Sequence, residues 1–193
     1  MIIRQILLAL SLSLVTAATC AAVHYKIDTK GAHAFITFKI KHLGYSWLLG
    51  RFNRFDGEFY YDHFKPDNNR VEVTIDMNSL DTNHAERDKH LRSARFFDVK
   101  KYPKARFVST AYQRIDNDQA KLTGKLTLRG ITKTIDIDLE HVGNGPDPWG
   151  GYRRGFEGST TLQLSDWKMK EAGILGPSAE EIEIYFSIEG IRQ

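Results

Sequence analysis

The stretch His84-Ala-Glu-Arg-Asp-Lys-His90 gathers the groups that acid–base or metal chemistry would need. His84 and Asp88 stand four residues apart, so a helix would place both on one face. Such a pair could hold zinc if a third ligand came from elsewhere. The spacing is not His-Glu-x-x-His, however, and the chain has one cysteine, Cys20, so no metal site is expected. The plainer reading is a helix end held by ion pairs of Arg87 and Asp88. A nucleophile is no better supported. There is no Gly-x-Ser-x-Gly, and Ser46, Ser79, Ser93 and Ser178 stand near loops without a partner pattern. The run Gly143-Asn-Gly-Pro-Asp-Pro-Trp-Gly-Gly151 lacks the Lys-Ser/Thr ending of a phosphate-binding loop. It reads as a shaped loop with Trp149 as its plug. Basic groups at Arg153-Arg154, Lys100-Lys101, Arg92 and Arg95 are interspersed with acids, so nucleic-acid binding is not expected.

The composition narrows the class. The chain has 193 residues, 41% of them hydrophobic and 26% charged, which excludes a disordered tail, a collagen-like fibre and a multi-span membrane protein. Its formal charge of +3 is a weak basis for polyanion binding. The first 22 residues read as a secretory signal: Arg4, an apolar run from Ile6 to Val15, then small residues from Thr16 to Ala22. The run is too short for a membrane span, which needs about 20 apolar residues. Cleavage is expected after Ala22. Lipid modification of Cys20 is disfavoured, because Ala17 rather than Leu stands three positions before it. Residues 23–193 then form one domain without cysteine, suited to an oxidising exported compartment.

That domain is dominated by alternation with period two, the sign of strands with one wet and one dry face. Apolar residues alternate through Ala34–Ile40, Phe55–Tyr61, Val71–Met77, Leu122–Leu128, Ile135–Leu139, Phe156–Leu164 and Ile182–Ile188. Segments at His24–Asp28 and Arg106–Ile115 complete the set. Turn signals lie at Lys65–Asn69, Asp116–Asp118, Arg129-Gly130 and Gly143–Pro148. About eight strands in one domain predict an all-β sandwich or closed antiparallel barrel. Several strands reach roughly 9–12 residues, or roughly 30–40 Å, longer than usual. The segment Asp81–Phe97 breaks the pattern and reads as a polar helix over one end, capped by Thr82 or Asn83. The dry faces mix large Phe38, Phe55, Phe59, Phe107, Phe156 and Phe186 with small Ala34, Gly57, Gly124, Gly158 and Thr160. Such mixing serves a packed taper or an open tunnel equally well.

Six ordered segments resemble the YceI-like family. They are Tyr25-Lys-Ile-Asp28 with His33-Ala-Phe35, His42-Leu-Gly-Tyr-Ser-Trp-Leu-Leu-Gly-Arg-Phe52, Asp81–Phe97, Lys101-Tyr-Pro-Lys-Ala-Arg-Phe107, Leu126-Thr-Leu-Arg-Gly-Ile-Thr-Lys133 and Asp147-Pro-Trp-Gly-Gly-Tyr-Arg-Arg-Gly-Phe-Glu157. The resemblance covers essentially all of residues 23–193. It implies an elongated eight-stranded lipocalin-like barrel, exported to the periplasm, holding a long isoprenoid or similar amphiphile. It implies no established catalysis and no cofactor. The one-face pattern then selects Phe38, Ile40, Phe55, Phe59, Val73, Ile75, Phe107, Leu126, Ile137, Phe156, Leu164, Ile184 and Phe186 as lining. His42, Tyr45, Trp47, His84, Arg87 and Trp149 are expected near the mouth, facing a polar head. The tail of an isoprenoid quinone or its precursor would suit the lumen. No nucleic acid or stable membrane span is expected, and a homodimer is left open. The alternative reading is an enzyme that acts on a lipid-like substrate at the mouth, and a third is an interaction module built on the barrel.

Overall fold

The computed structural model describes residues 21–169 and 180–193, so the expected signal segment lies outside it except for its last two residues. The alternating segments form β1 (Val23–Ile27), β2 (Phe35–His42), β3 (Ser46–Phe52), β4 (Phe55–Tyr61), β5 (Arg70–Asp76), β6 (Leu80–Asp81), β7 (Lys104–Arg114), β8 (Gln119–Leu128), β9 (Ile131–Pro146), β10 (Tyr152–Gln163) and β11 (Glu181–Arg192). The α-helix among the described residues is α1 (Ala85–Arg92).

Every pairing is antiparallel, and β1 meets β11 to close the sheet. Three of the staves are broken in the middle. Both β1 and β2 lie along β11, with Ile27 opposite Gly190 and Phe35 opposite Ser187. In the same way β3 and β4 pair with β2 and β1, and β5 and β6 pair with β4 and β3. Each broken pair therefore counts as one stave, and the described residues form a closed barrel of eight up-and-down strands. The expected all-β fold is present, with the helix at one end. With β10 and β11 at 12 residues each, the wall is about 40 Å long along a strand.

The breaks have local causes. At the first, the Asp28 carboxylate accepts the Gly31 N–H at 2.8 Å and lies 3.0 Å from His33 Nδ1. A side chain at Gly31 would strike that carboxylate, because a Cβ there would fall 2.5 Å from Oδ2. At the third, Ser79 Oγ accepts the Arg54 N–H and donates to the Asp76 carbonyl, replacing ladder bonds lost where the strand turns.

Several details depart from the sequence reading. β3 lacked a period-two signal because its outward residues Trp47 and Leu49 are also apolar and exposed. β9 runs on through Gly143–Pro146, so the turn there is confined to residues 147–151. The helix is capped by His84, not by Thr82 or Asn83: Nδ1 of His84 accepts the Arg87 N–H at 3.2 Å. Thr82 cannot serve, because its hydroxyl donates to Asp88 and accepts from Arg87, and Asn83 sits at φ +60°. The helix also stops at Arg92, well short of Phe97.

The helix end of the barrel is sealed by apolar packing. Met77, Leu80, Trp167 and Met169 are buried almost completely. The Trp167 indole satisfies its one donor on the Ile131 carbonyl at 3.0 Å. Arg129 ties the Lys168 and Ala94 carbonyls over the plug, and Arg92 holds the Leu80 carbonyl.

Candidate functional site

Between this plug and the opposite, far end lies a cavity of about 170 Å³. Its wall is almost wholly apolar, with Tyr60, Tyr61, Asn69, Arg70, Tyr112 and Thr160 as its polar lining residues. No histidine or carboxylate lines it among the described residues. Along β5 and the residue at each of its ends the lining runs from Met77 to Asn69. At about 3.3 Å per residue, and with staves tilted about 40°, that is about 20 Å along the axis. The space is therefore long and thin. A dry cavity of similar volume, about 150 Å³, is known to take an apolar guest.

The inward glycines explain how the lumen stays open. A Cβ on Gly124 would fall 2.3 Å from the Phe107 ring, one on Gly158 would fall 2.6 Å from Phe186, and one on Gly190 would fall 2.4 Å from Phe59. The Phe107 and Phe186 rings each lie over a glycine of the adjacent strand, the Phe59 ring reaches across β1 to Gly190, and all three still line the cavity. Small residues thus do not themselves make the gap; they let aromatic rings lie against the wall rather than cross the axis. Mixed sizes at the dry face serve the tunnel through this pairing.

Of the thirteen residues selected as lining, Phe55, Phe59, Val73, Ile75, Phe107, Leu126, Ile137, Phe156, Leu164, Ile184 and Phe186 face the cavity. Phe38 and Ile40 do not; they are buried near the helix end, with the Phe38 ring packed on Gly50. Sequence reading omitted Ile27, Ile36, Val71, Met77, Leu128, Leu139 and Ile188, which share the same alternation and also line the wall.

The six expected mouth residues are divided between the two ends, and none lines the cavity. His42, Tyr45 and Trp47 lie on the β2–β3 hairpin, where Tyr45 is 87% exposed. The Trp47 ring there lies under Lys39 and Lys41. His84 and Arg87 are occupied in building the helix start: Arg87 donates to the Thr82 hydroxyl and carbonyl. Asp88 Oδ1 accepts the Thr82 N–H and hydroxyl, so this carboxylate too helps to build the helix start. Trp149 is at the far end, 75% exposed, over the Arg153 guanidinium, and plugs nothing.

The far end carries the polar groups that sequence reading missed. Tyr61 and Tyr112 meet edge to face at 6.4 Å and line the cavity. A bulge between Ser109 and Ala111 shifts the register of β7, which turns Tyr112 inward although Phe107 has the opposite parity. Burial, with Tyr61 beside it, raises the Tyr112 pKa, so the phenol keeps its proton. Arg154 stacks on the Tyr61 ring at 4.1 Å and meets His141 Nε2 at 2.9 Å. Burial and the Arg154 charge lower the His141 pKa, keeping the ring neutral and able to accept that bond. Parity was the available signal: Arg154 alternates with Phe156 and Gly158, and His141 with Ile137 and Leu139.

A second cluster lies outside the lumen. Ligand atoms of Asp28, His33 and Glu189 lie within 4.8 Å of one another, close enough to suggest a cation site. Arg153 already fills that role. Its guanidinium donates to Asp28 at 2.7 Å, to Asp147 at 2.8 Å and to Glu189. Burial works to raise the Asp28 pKa, but Arg153, His33 and the Gly31 N–H overcome it and hold it at about 2.

Comparison with known proteins agrees with this architecture. Residues 25–190 match the YceI-like domain. A UPF0312 protein of Pseudomonas aeruginosa is 56% identical over 186 residues, covering 96% of each chain. A UPF0312 protein of Pectobacterium atrosepticum is 50% identical over 93% of this chain and 92% of its own. The Campylobacter jejuni YCEI protein superposes with a TM-score of 0.71 at 31% identity, over 80% of this chain and 91% of its own. A polyisoprenoid binding domain from Saccharophagus degradans shares the fold, with a TM-score of 0.68 at 16% identity over 89% and 99% of the two chains. With this domain match spanning nearly the whole barrel, and with relatives at half identity or more along its length, the chain belongs to the YceI-like family.

Proposed function

We propose that this protein is a periplasmic binding or carrier protein that holds a long isoprenoid chain, such as an isoprenoid quinone tail or its precursor, inside the barrel. The observation that carries the reading is the lumen itself: about 20 Å long, thin, and apolar along its wall. Transfer of chain surface from water drives binding, at about 0.8 kcal/mol per buried methylene-sized group. Such a force selects chains by length and leaves the head group to other contacts. The wall offers no histidine or carboxylate to act as acid or base among the described residues, which favours carriage over turnover. The polyisoprenoid binding assigned to the Saccharophagus degradans domain accords with this reading. Export follows from the N-terminal address. No helix of the described residues is long and apolar enough to cross a membrane.

Native mass spectrometry of protein purified from its own host tests the reading. A co-purified prenyl lipid is expected, and prenyl alcohols added to stripped protein should bind at least tenfold tighter per added isoprene unit until the lumen is full. Protein that purifies empty and takes up no prenyl alcohol of any length would overturn it. Osmotic shock should release a chain shortened by its first 22 residues; an intact chain kept in the cytoplasm would contradict the periplasmic assignment.

A further inference from the structure

We propose that the β2–β3 hairpin is a membrane-docking element that seats the barrel on the interface of an anionic bilayer. The hairpin stands clear of the wall. The last pairing of β2 with β11 is Ile40 with Ile182. Beyond it, Lys41 pairs with Trp47 and His42 with Ser46. Every residue from Lys41 to Trp47 is exposed. Single exposed apolar residues are ordinary on a protein surface, but a contiguous group is not. Here Trp47 (47% exposed) and Leu49 (65%) share the outward face of β3, and Leu43 (47%) and Tyr45 (87%) form the turn beyond them. Leu43 is held at φ +52°, where a bulky residue is rarely found. Neither that conformation nor the exposure helps folding. None of these four side chains lines the cavity, so the surface stands apart from chain binding.

The charge around the hairpin is a second, independent observation. From Thr29 to Phe55 there are five Lys or Arg residues and no Asp or Glu, although the whole chain has a formal charge of only +3. The cationic excess of the chain therefore sits on this segment. Carboxylates from other strands match part of it: Glu183 meets Lys39 at 2.8 Å, Asp81 meets Arg51 at 3.6 Å and Asp76 meets Arg54 at 2.9 Å. Lys41 has no carboxylate within ion-pair distance among the described residues. Its ammonium lies 5.4 Å from the centre of the Trp47 ring, and that of Lys39 lies 4.6 Å from it. Tryptophan and tyrosine settle at the membrane–water interface. Lysine lays its stem along apolar surface and keeps its head among the phosphates, and an anionic leaflet attracts it. A bilayer thus accounts for the apolar tip and the charge together. The edge of β3 from Ser46 to Gly50 has no strand beside it among the described residues. A peptide added there would pair with the backbone but leave Leu43 and Tyr45 in water.

The test is flotation of the lipid-stripped full-length mature protein with two kinds of vesicle, phosphatidylcholine alone and phosphatidylcholine mixed with phosphatidylglycerol. Wild-type protein is expected to bind the mixed vesicles at least tenfold tighter, and about 1 M salt should erase that preference. Tyr45→Ser/Trp47→Ser should lose at least tenfold in affinity for the mixed vesicles while its thermal unfolding stays at the wild-type temperature. If that variant fails to fold, Tyr45→Ser alone takes its place, with a loss of about threefold. Lys41→Gln should weaken binding to the mixed vesicles about fivefold and leave binding to phosphatidylcholine unchanged. Brominated lipid should quench the fluorescence of wild-type protein, and Trp47→Phe should abolish the quenching while still floating. Phe64→Ser/Trp149→Ser, at the other end of the barrel, should float like wild type. Failure to bind either vesicle, equal binding of both, or binding that survives Tyr45→Ser/Trp47→Ser overturns the proposal. So does binding that is lost in Phe64→Ser/Trp149→Ser, which would move the docking surface to the far end. A dimer that ignores vesicles and is dissolved by Tyr45→Ser/Trp47→Ser also overturns it, and assigns the hairpin to a second copy of the chain. None of these outcomes touches the chain-binding reading, which the prenyl alcohols test separately.

Discussion

The two ends of the barrel solve opposite problems with the same alternating strands. At the helix end the chain closes on itself: Trp167, Met169, Met77 and Leu80 are buried almost completely, and the indole N–H finds the Ile131 carbonyl. Arg129 and Arg92 give terminal NH groups to backbone carbonyls there, and the Nε of each is left without a partner among the described residues. At the far end, polar side chains come to the lumen instead: Tyr61, Tyr112 and Asn69 line the cavity, and Arg154 stacks on the Tyr61 ring. A sealed apolar end contributes stability, whereas the far end brings polar groups to the lumen. The difference teaches that stability and binding are carried by separate parts of one wall.

Four substitutions would break or sharpen this contrast. The largest effect is expected from Trp167→Ala, which removes a fully buried ring from the plug. It should cost about 3–5 kcal/mol in urea or thermal unfolding. A loss of under about 1 kcal/mol would mean that the plug is not the stabilising end. Next is Gly124→Ala. A Cβ there would sit 2.3 Å from the Phe107 ring and 2.7 Å from the Val108 carbonyl oxygen. It should cost about 1–3 kcal/mol and push the ring toward the axis, so chain affinity should fall together with stability. Unchanged affinity would show that Phe107 does not set the bore.

The third concerns Asp28, whose carboxyl is held at about 2 by Arg153, His33 and the Gly31 N–H, against its burial. A depressed folded-state pKa gives stability that is present above the unfolded value of 3.8 and lost as pH falls through about 2. The contribution is about 2 kcal/mol at neutral pH. Asp28→Asn should remove it and flatten the acid limb of the stability curve between about pH 4 and pH 2. An unchanged acid limb would dissociate the Arg153 network from folding. The smallest effect is expected from Arg154→Gln, within about 0.5 kcal/mol of wild type in stability. The two neighbouring arginines should therefore separate cleanly, and a large loss at Arg154 would place it with the structural cations.

Much of this was legible in the chain, for physical reasons that can be named. Period-two alternation identifies a dry face wherever the outward residues are polar, as in Leu122–Leu128 or Ile182–Ile188, and those faces do line the lumen. It fails at β3, where exposed Trp47 and Leu49 are apolar too. It fails again past a bulge: the shift between Ser109 and Ala111 brings Tyr112 inward against the parity of Phe107. The chemically rich His84–His90 segment drew attention by composition, yet it is spent on the helix start. His141 and Arg154 share parity with apolar lining residues, but an inward polar residue near a strand end looks the same in sequence as one that has turned outward. Only the stacking of Arg154 on Tyr61 distinguishes the two.

The most direct test is photocrosslinking of a bound chain along its length. A geranylgeranyl probe carrying a diazirine at its tail tip is irradiated in complex with the protein, and a second carries the diazirine beside its head. The tail-tip probe is expected to label Met77, Phe97 or Leu128 at the helix end of the lumen, and the head-side probe Tyr61 or Tyr112. Labelling by both probes confined to the exposed outer residues Phe35, Tyr45 and Leu49, with none inside the lumen, would contradict a chain held within the barrel.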